Sequence, residues 1–147
     1  MKTTLHILLF SLISTVASAH VELGPNGGRL LDLSKDKSVL GEVTVKGDKF
    51  HVALFDKDKK PMKVEQQSLT ATGGTREKPE KLSVEKSATG FTIPLIPAGQ
   101  WLIVQYKDTP DAKAVTARLH YDMSTCGECK KPEWLCACHN EKADAKK

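Results

Sequence analysis

The chain has 147 residues, with 22 Lys and Arg against 18 Asp and Glu, a formal net charge of +4 and only 5% aromatic residues. That length supports one domain. Its charges alternate in sign at Lys35-Asp36-Lys37, Asp56-Lys57-Asp58-Lys59-Lys60 and Arg76-Glu77-Lys78, which marks solvated turns. No basic stripe with interleaved aromatics occurs in sequence, so nucleic-acid binding is excluded.

Residues 1–19 read as a secretory signal. Lys2 supplies the positive start, Leu5 to Val16 the apolar stretch, and Ala17-Ser18-Ala19 the small-residue cleavage site. The apolar run is too short to span a bilayer, and no cysteine follows the cut to take a lipid anchor. The expected product is periplasmic or secreted, without a transmembrane segment. Cleavage after Ala19 makes His20 the terminus, where an α-amine and an imidazole nitrogen together suit Cu(II). In this one residue the start is similar to that of periplasmic copper-resistance proteins and copper mono-oxygenases.

From residue 20 to 123 the pattern is that of strands. Val39, Gly41, Val43 and Val45 alternate with Leu40, Glu42 and Thr44, Phe50, Val52 and Leu54 alternate with His51 and Ala53, and Phe91, Ile93 and Leu95 alternate again. Leu102, Val104 and Tyr106 follow, then Val115, Ala117, Leu119 and Tyr121. Turn residues separate these runs at Lys46-Gly47-Asp48, 56–61, Gly73-Gly74, 88–90, Pro97-Ala98-Gly99 and 107–111. The expectation is an all-β antiparallel sandwich of seven or eight strands, near 28–33, 38–46, 49–56, 67–73, 80–86, 90–95, 100–107 and 113–122. The clearest hairpin turns at Gly47-Asp48. Pro94 and Pro97 place their strand at an edge or end it early, because proline cannot donate to a ladder.

Gly24-Pro25-Asn26-Gly27-Gly28-Arg29-Leu30-Leu31 is a glycine turn feeding the first strand. With Phe55-Asp-Lys-Asp-Lys-Lys-Pro-Met62, it resembles small exported β-domains found alone or at the front of periplasmic adaptors of heavy-metal efflux systems. Those domains open with a P-x-G-G-R-L-type turn. The resemblance covers 24–62, although the glycine usual in the later turn is absent here. It implies an immunoglobulin-like sandwich and a metal-handling neighbourhood; a periplasmic metal-efflux or chaperone protein is the expected partner. It assigns no ligand residue.

Every cysteine lies in Cys126-Gly-Glu-Cys129-Lys-Lys-Pro-Glu-Trp-Leu-Cys136-Ala-Cys138-His139, spaced C-x2-C-x6-C-x-C-H. Three readings fit a knob over 124–139: a thiolate metal site for Zn or Cu, two disulfides, or a dithiol redox pair at Cys126 and Cys129. Covalent haem is set aside, since C-x-x-C-H is not present. The C-x-C-H end favours metal. A Cys136–Cys138 disulfide would close a strained small ring, and His139 has no part in a staple. Export favours the staple. The expected ligands are therefore Cys126, Cys129, Cys136 and Cys138, with His139 as a replacement or fifth ligand and His20, His120 and Met123 as lesser candidates. Trp134 and Leu135 are expected to pack the knob onto a sandwich that has its own core. No nucleophile elbow, phosphate loop, H-E-x-x-H or paired-carboxylate motif occurs, so a non-enzymatic protein is expected. The alternative is a disulfide-stapled interaction module without metal. The charged tail, 140–147, has nothing to bury and is expected to be disordered.

Overall fold

The computed structural model describes residues 21–138. Residues 1–19, where a signal is expected, together with His20, His139 and the tail lie outside them. The described residues form β1 (Arg29–Asp32), β2 (Val39–Lys46), β3 (Lys49–Asp56), β4 (Ser68–Gly74), β5 (Pro79–Leu82), β6 (Glu85–Ser87), β7 (Gly90–Pro94), β8 (Trp101–Lys107) and β9 (Val115–His120). They make two antiparallel sheets, ordered β1-β2-β3-β7-β6 and β5-β4-β8-β9. Among the described residues no helix is long and apolar enough to cross a membrane.

The alternation read from sequence sets which side chains meet between the sheets. Val43, Phe50, Val52, Leu54 and Ile93 from one sheet join Leu69, Leu102, Val104, Tyr106 and Leu119 from the other in one buried cluster. Successive strand side chains point to opposite faces, so one apolar residue in two suffices to build this layer. The β2–β3 hairpin pairs Lys46 with Lys49 across Gly47-Asp48. Gly47 has φ 61°, the positive value that the first position of a tight primed turn requires.

Two strand expectations change. The run at 80–86 is two strands: β5 pairs with β4 in the second sheet, and β6 with β7 in the first. Leu82 and Val84 both pack against the core, so the chain turns a corner around them and changes sheets. Nine strands therefore stand where seven or eight were expected. Pro94 sits in the interior of the sheet order, but β6 pairs only with Gly90, Phe91 and Thr92. Pro94 ends β7 past the last β6 pair, where no ladder bond is asked of it.

Glu42 is the fully buried charged side chain among the described residues. Its carboxyl oxygens accept hydrogen bonds from the Asn26 amide (2.8 Å), the Asn26 side-chain Nδ2 (2.7 Å) and the Gly28 amide (2.8 Å). Three donors offset the cost of taking a carboxyl group from water. Gly28 has to be glycine, since a Cβ there would lie 2.3 Å from the Val43 carbonyl oxygen. The turn at 24–28 is thus pinned onto β2 and delivers Arg29 to β1.

The knob is joined to the core. Trp134 is 4% exposed. Its ring meets Tyr121 edge-on at 5.5 Å and Phe50 at 6.5 Å, while Phe50 and Tyr121 meet at 5.1 Å. Leu135 packs against the same cluster. Trp134 and Leu135 therefore pack as expected, and a division at residue 123 separates segments whose side chains share one core.

Candidate metal centre

The knob is framed by its own backbone. Asp122 Oδ1 accepts from the Ser124 amide (2.9 Å) and the Ser124 hydroxyl (2.6 Å), which holds the Asp122 carboxyl below its usual range. The Glu133 amide donates to the Ser124 carbonyl, and the Trp134 amide to the Asp122 carbonyl. Between these anchors the Cys126 amide donates to the Lys131 carbonyl at 2.8 Å, and the Lys130 amide to the Cys126 carbonyl at 3.1 Å. Lys130 closes this loop with φ 61°. Its Nζ donates to the Gly127 carbonyl at 2.8 Å.

The loop turns its amides onto the first thiol. The Cys129 and Glu128 amides donate to Cys126 Sγ and, with the Cys136 thiol, pull Cys126 down to about 7. Hydrogen bonds to the charged form favour it. A 3₁₀ turn at Glu133–Leu135 then leads into Cys136, whose backbone is extended with φ −77° and ψ 123°. In extended chain residues two apart share a face, so Cys136 and Cys138 both aim inward past Ala137. The Cys138 amide favours the Cys136 thiolate, but the Cys126 thiol and burial outweigh it and raise Cys136. Sharing hydrogen bonds with Cys129, together with desolvation, pushes Cys138 up to about 12.

The four sulfurs converge. Cys126 and Cys136 are 3.2 Å apart, Cys129 and Cys136 3.8 Å, and Cys126 and Cys138 3.9 Å. All four lie within 4.8 Å of one another. A tetrahedral ion with metal–sulfur bonds of about 2.3 Å sets its sulfurs roughly 3.8 Å apart. The four cysteines are free, with no disulfide among them. Cys126 and Cys136 are buried, Cys129 and Cys138 half-buried. Soft thiolates in this arrangement fit a tetrahedral ion such as Zn(II), with every position filled by protein.

The lesser candidates stand apart from this cluster. His120 packs its ring on Trp101 with centroids 4.8 Å apart, and its Nε2 lies 3.1 Å from the Gly99 carbonyl. It is absent from the group of converging ligands among the described residues. Met123 is 45% exposed just before the knob. His51 Nδ1 lies 3.4 Å from the Thr92 hydroxyl, on the other sheet. One contact was not foreseen: the Arg29 guanidinium donates to the Trp134 carbonyl at 3.4 Å across 105 residues. Burial lowers Arg29 from its ordinary value. Its place in the glycine-turn stretch is the one sequence signal that singled it out. Comparison with protein-family models, with curated proteins and with solved structures finds no match.

Proposed function

We propose that this chain is an exported, non-enzymatic β-sandwich protein that holds one zinc ion through Cys126, Cys129, Cys136 and Cys138. The observation that carries the reading is the convergence of four free sulfurs within 4.8 Å. A closed four-sulfur shell has no open position for substrate, which favours a structural or storage role over catalysis. The amides aimed at Cys126 and Cys136 stabilise thiolate charge, and Lys130 and Lys131 add positive charge on the same loop. Cu(I) shares the preference for sulfur, but four tetrahedral thiolates suit zinc better. His139 then serves beside a complete shell rather than within it. Residues 1–19 support export, and the resemblance over 24–62 supports a metal-efflux or chaperone partner.

Mass spectrometry of protein from the exported fraction, native and denatured, with thiol counting, tests this reading. The expected result is four free thiols and one zinc mass lost on denaturation. Two disulfides with no metal would establish the stapled module instead. Copper in place of zinc would move the assignment to a copper carrier.

A further inference from the structure

The second sheet carries a feature unrelated to the cysteines. Its outward side chains are Pro79 and Lys81 from β5, Thr70, Thr72 and Gly74 from β4, Trp101, Ile103 and Gln105 from β8, and Thr116, Arg118 and His120 from β9. Two cross-strand rows result from the pairing: Pro79–Gly74–Trp101–His120 and Lys81–Thr72–Ile103–Arg118. Glu80 of β5 is exposed but falls in the opposite alternation phase, so the strand charges on this face are Lys81, Lys107 and Arg118. Arg76 joins them from the β4–β5 loop, and a cleft of about 580 Å³ runs between Arg76, Trp101 and Arg118.

Trp101 is 45% exposed in this cleft. It is held in place by His120, which stacks at 4.8 Å and 31° and is itself tied to the Gly99 carbonyl at 3.1 Å. The residue beside it is Gly74, where a Cβ would lie 2.3 Å from the Lys78 carbonyl oxygen, so the floor next to the indole stays low. Arg76 and Arg118 have no ion-pair or hydrogen-bond partner among the described residues. An exposed indole flanked by two uncommitted guanidiniums leaves both apolar and ionic binding capacity unused.

We infer that this cleft binds an anionic saccharide, a sugar chain bearing carboxylate or sulfate groups. The C–H face of a sugar ring lies flat on the indole. Its acid group takes a forked pair of bonds from Arg118 or Arg76, and its hydroxyls reach Thr72 and Thr75, which line the same cleft. A peptide added as a strand would pair along the β5 edge and leave Trp101 and Arg118 unused. Single-stranded nucleic acid uses successive aromatic platforms, and this face has one.

The test is affinity electrophoresis of the full exported chain through gels containing polygalacturonate, dextran sulfate or neutral dextran, with a single-stranded DNA oligonucleotide as competitor. Retardation by polygalacturonate or dextran sulfate, and none by neutral dextran, is expected; the two anions distinguish carboxylate from sulfate. Trp101→Ala and Arg118→Gln should each weaken retention by about tenfold while zinc content and thermal transition stay as in the parent. Because both side chains are exposed, Arg118→Gln serves as the second variant if Trp101→Ala alters folding. Retention unchanged in both variants, no retention by either anion, or tighter binding of the oligonucleotide would overturn the inference.

Discussion

Cys129 shows what a single ligand contributes. Its Sγ lies 3.8 Å from that of Cys136 and its amide helps hold Cys126 near neutrality. In Cys129→Ser a neutral hydroxyl replaces a thiolate, so zinc affinity should fall by orders of magnitude while the Cys126 amide contact persists. His139→Ala should change affinity little, since four sulfurs already complete the shell. Competition titration of reduced protein with a chromogenic chelator checks both; equal losses in the two variants would make His139 a ligand. Glu42 is the corresponding residue of the fold. Glu42→Gln turns one acceptor oxygen into a donor facing the Asn26 or Gly28 donors, and stability should drop by about 1–3 kcal/mol. Urea unfolding measures this, and an unchanged midpoint would remove Glu42 as the anchor of the glycine turn.

The knob and the sandwich meet chiefly through Trp134, with Leu135 beside it and Arg29 bonded to the Trp134 carbonyl. Trp134 shares its contact surface with Phe50 and Tyr121. A chain ending at Asp122 should still unfold cooperatively, because the sheets keep Leu102, Val104, Phe50 and Val52 between them. Its stability should fall by roughly 3–5 kcal/mol, the usual cost of deleting a buried Trp. Trp134→Ala in the full chain should lose a similar amount. Calorimetry of the pair tests this, and a truncated chain as stable as the parent would mean that the knob contributes nothing to the core.

Metal, proton and fold are linked across the whole molecule. Cys126 sits near 7, Cys136 is raised and Cys138 sits near 12. Binding an ion through four thiolates strips every thiol proton still held at neutral pH, of which Cys126 supplies only a fraction. Zinc uptake at pH 7 should therefore release on the order of three to four protons. Affinity rises with pH through neutrality and is lost as pH falls below the Cys126 value, where that thiol too is protonated. Calorimetric titration in buffers of different ionisation enthalpy counts these protons, and affinity independent of pH would remove thiolate ligation. By the same linkage chelator should lower the melting temperature of the loaded protein. N-terminal sequencing of exported material should begin at His20; any other start ends the amine and imidazole copper idea.

The sequence by itself determined the features that depend on near neighbours. Period-two alternation and glycine turns placed most strands within a residue or two, and the hairpin at Gly47-Asp48 stands where it was expected. The four sulfurs were legible as a group because they lie within thirteen residues, so loop closure alone keeps them close. What only the tertiary structure decided rests on pairs distant in sequence. Whether 80–86 was one strand or two depended on which sheets Leu82 and Val84 had to cover. Glu42 looked like an ordinary outward residue of an alternating strand until the 24–28 turn folded over it. Arg29 found the Trp134 carbonyl only because β1 runs beside the end of β9. Trp101, Arg76 and Arg118 share a face through the β4–β8 and β8–β9 registers. Side-chain periodicity says that a face exists, but strand order and register decide whose side chains stand on it together.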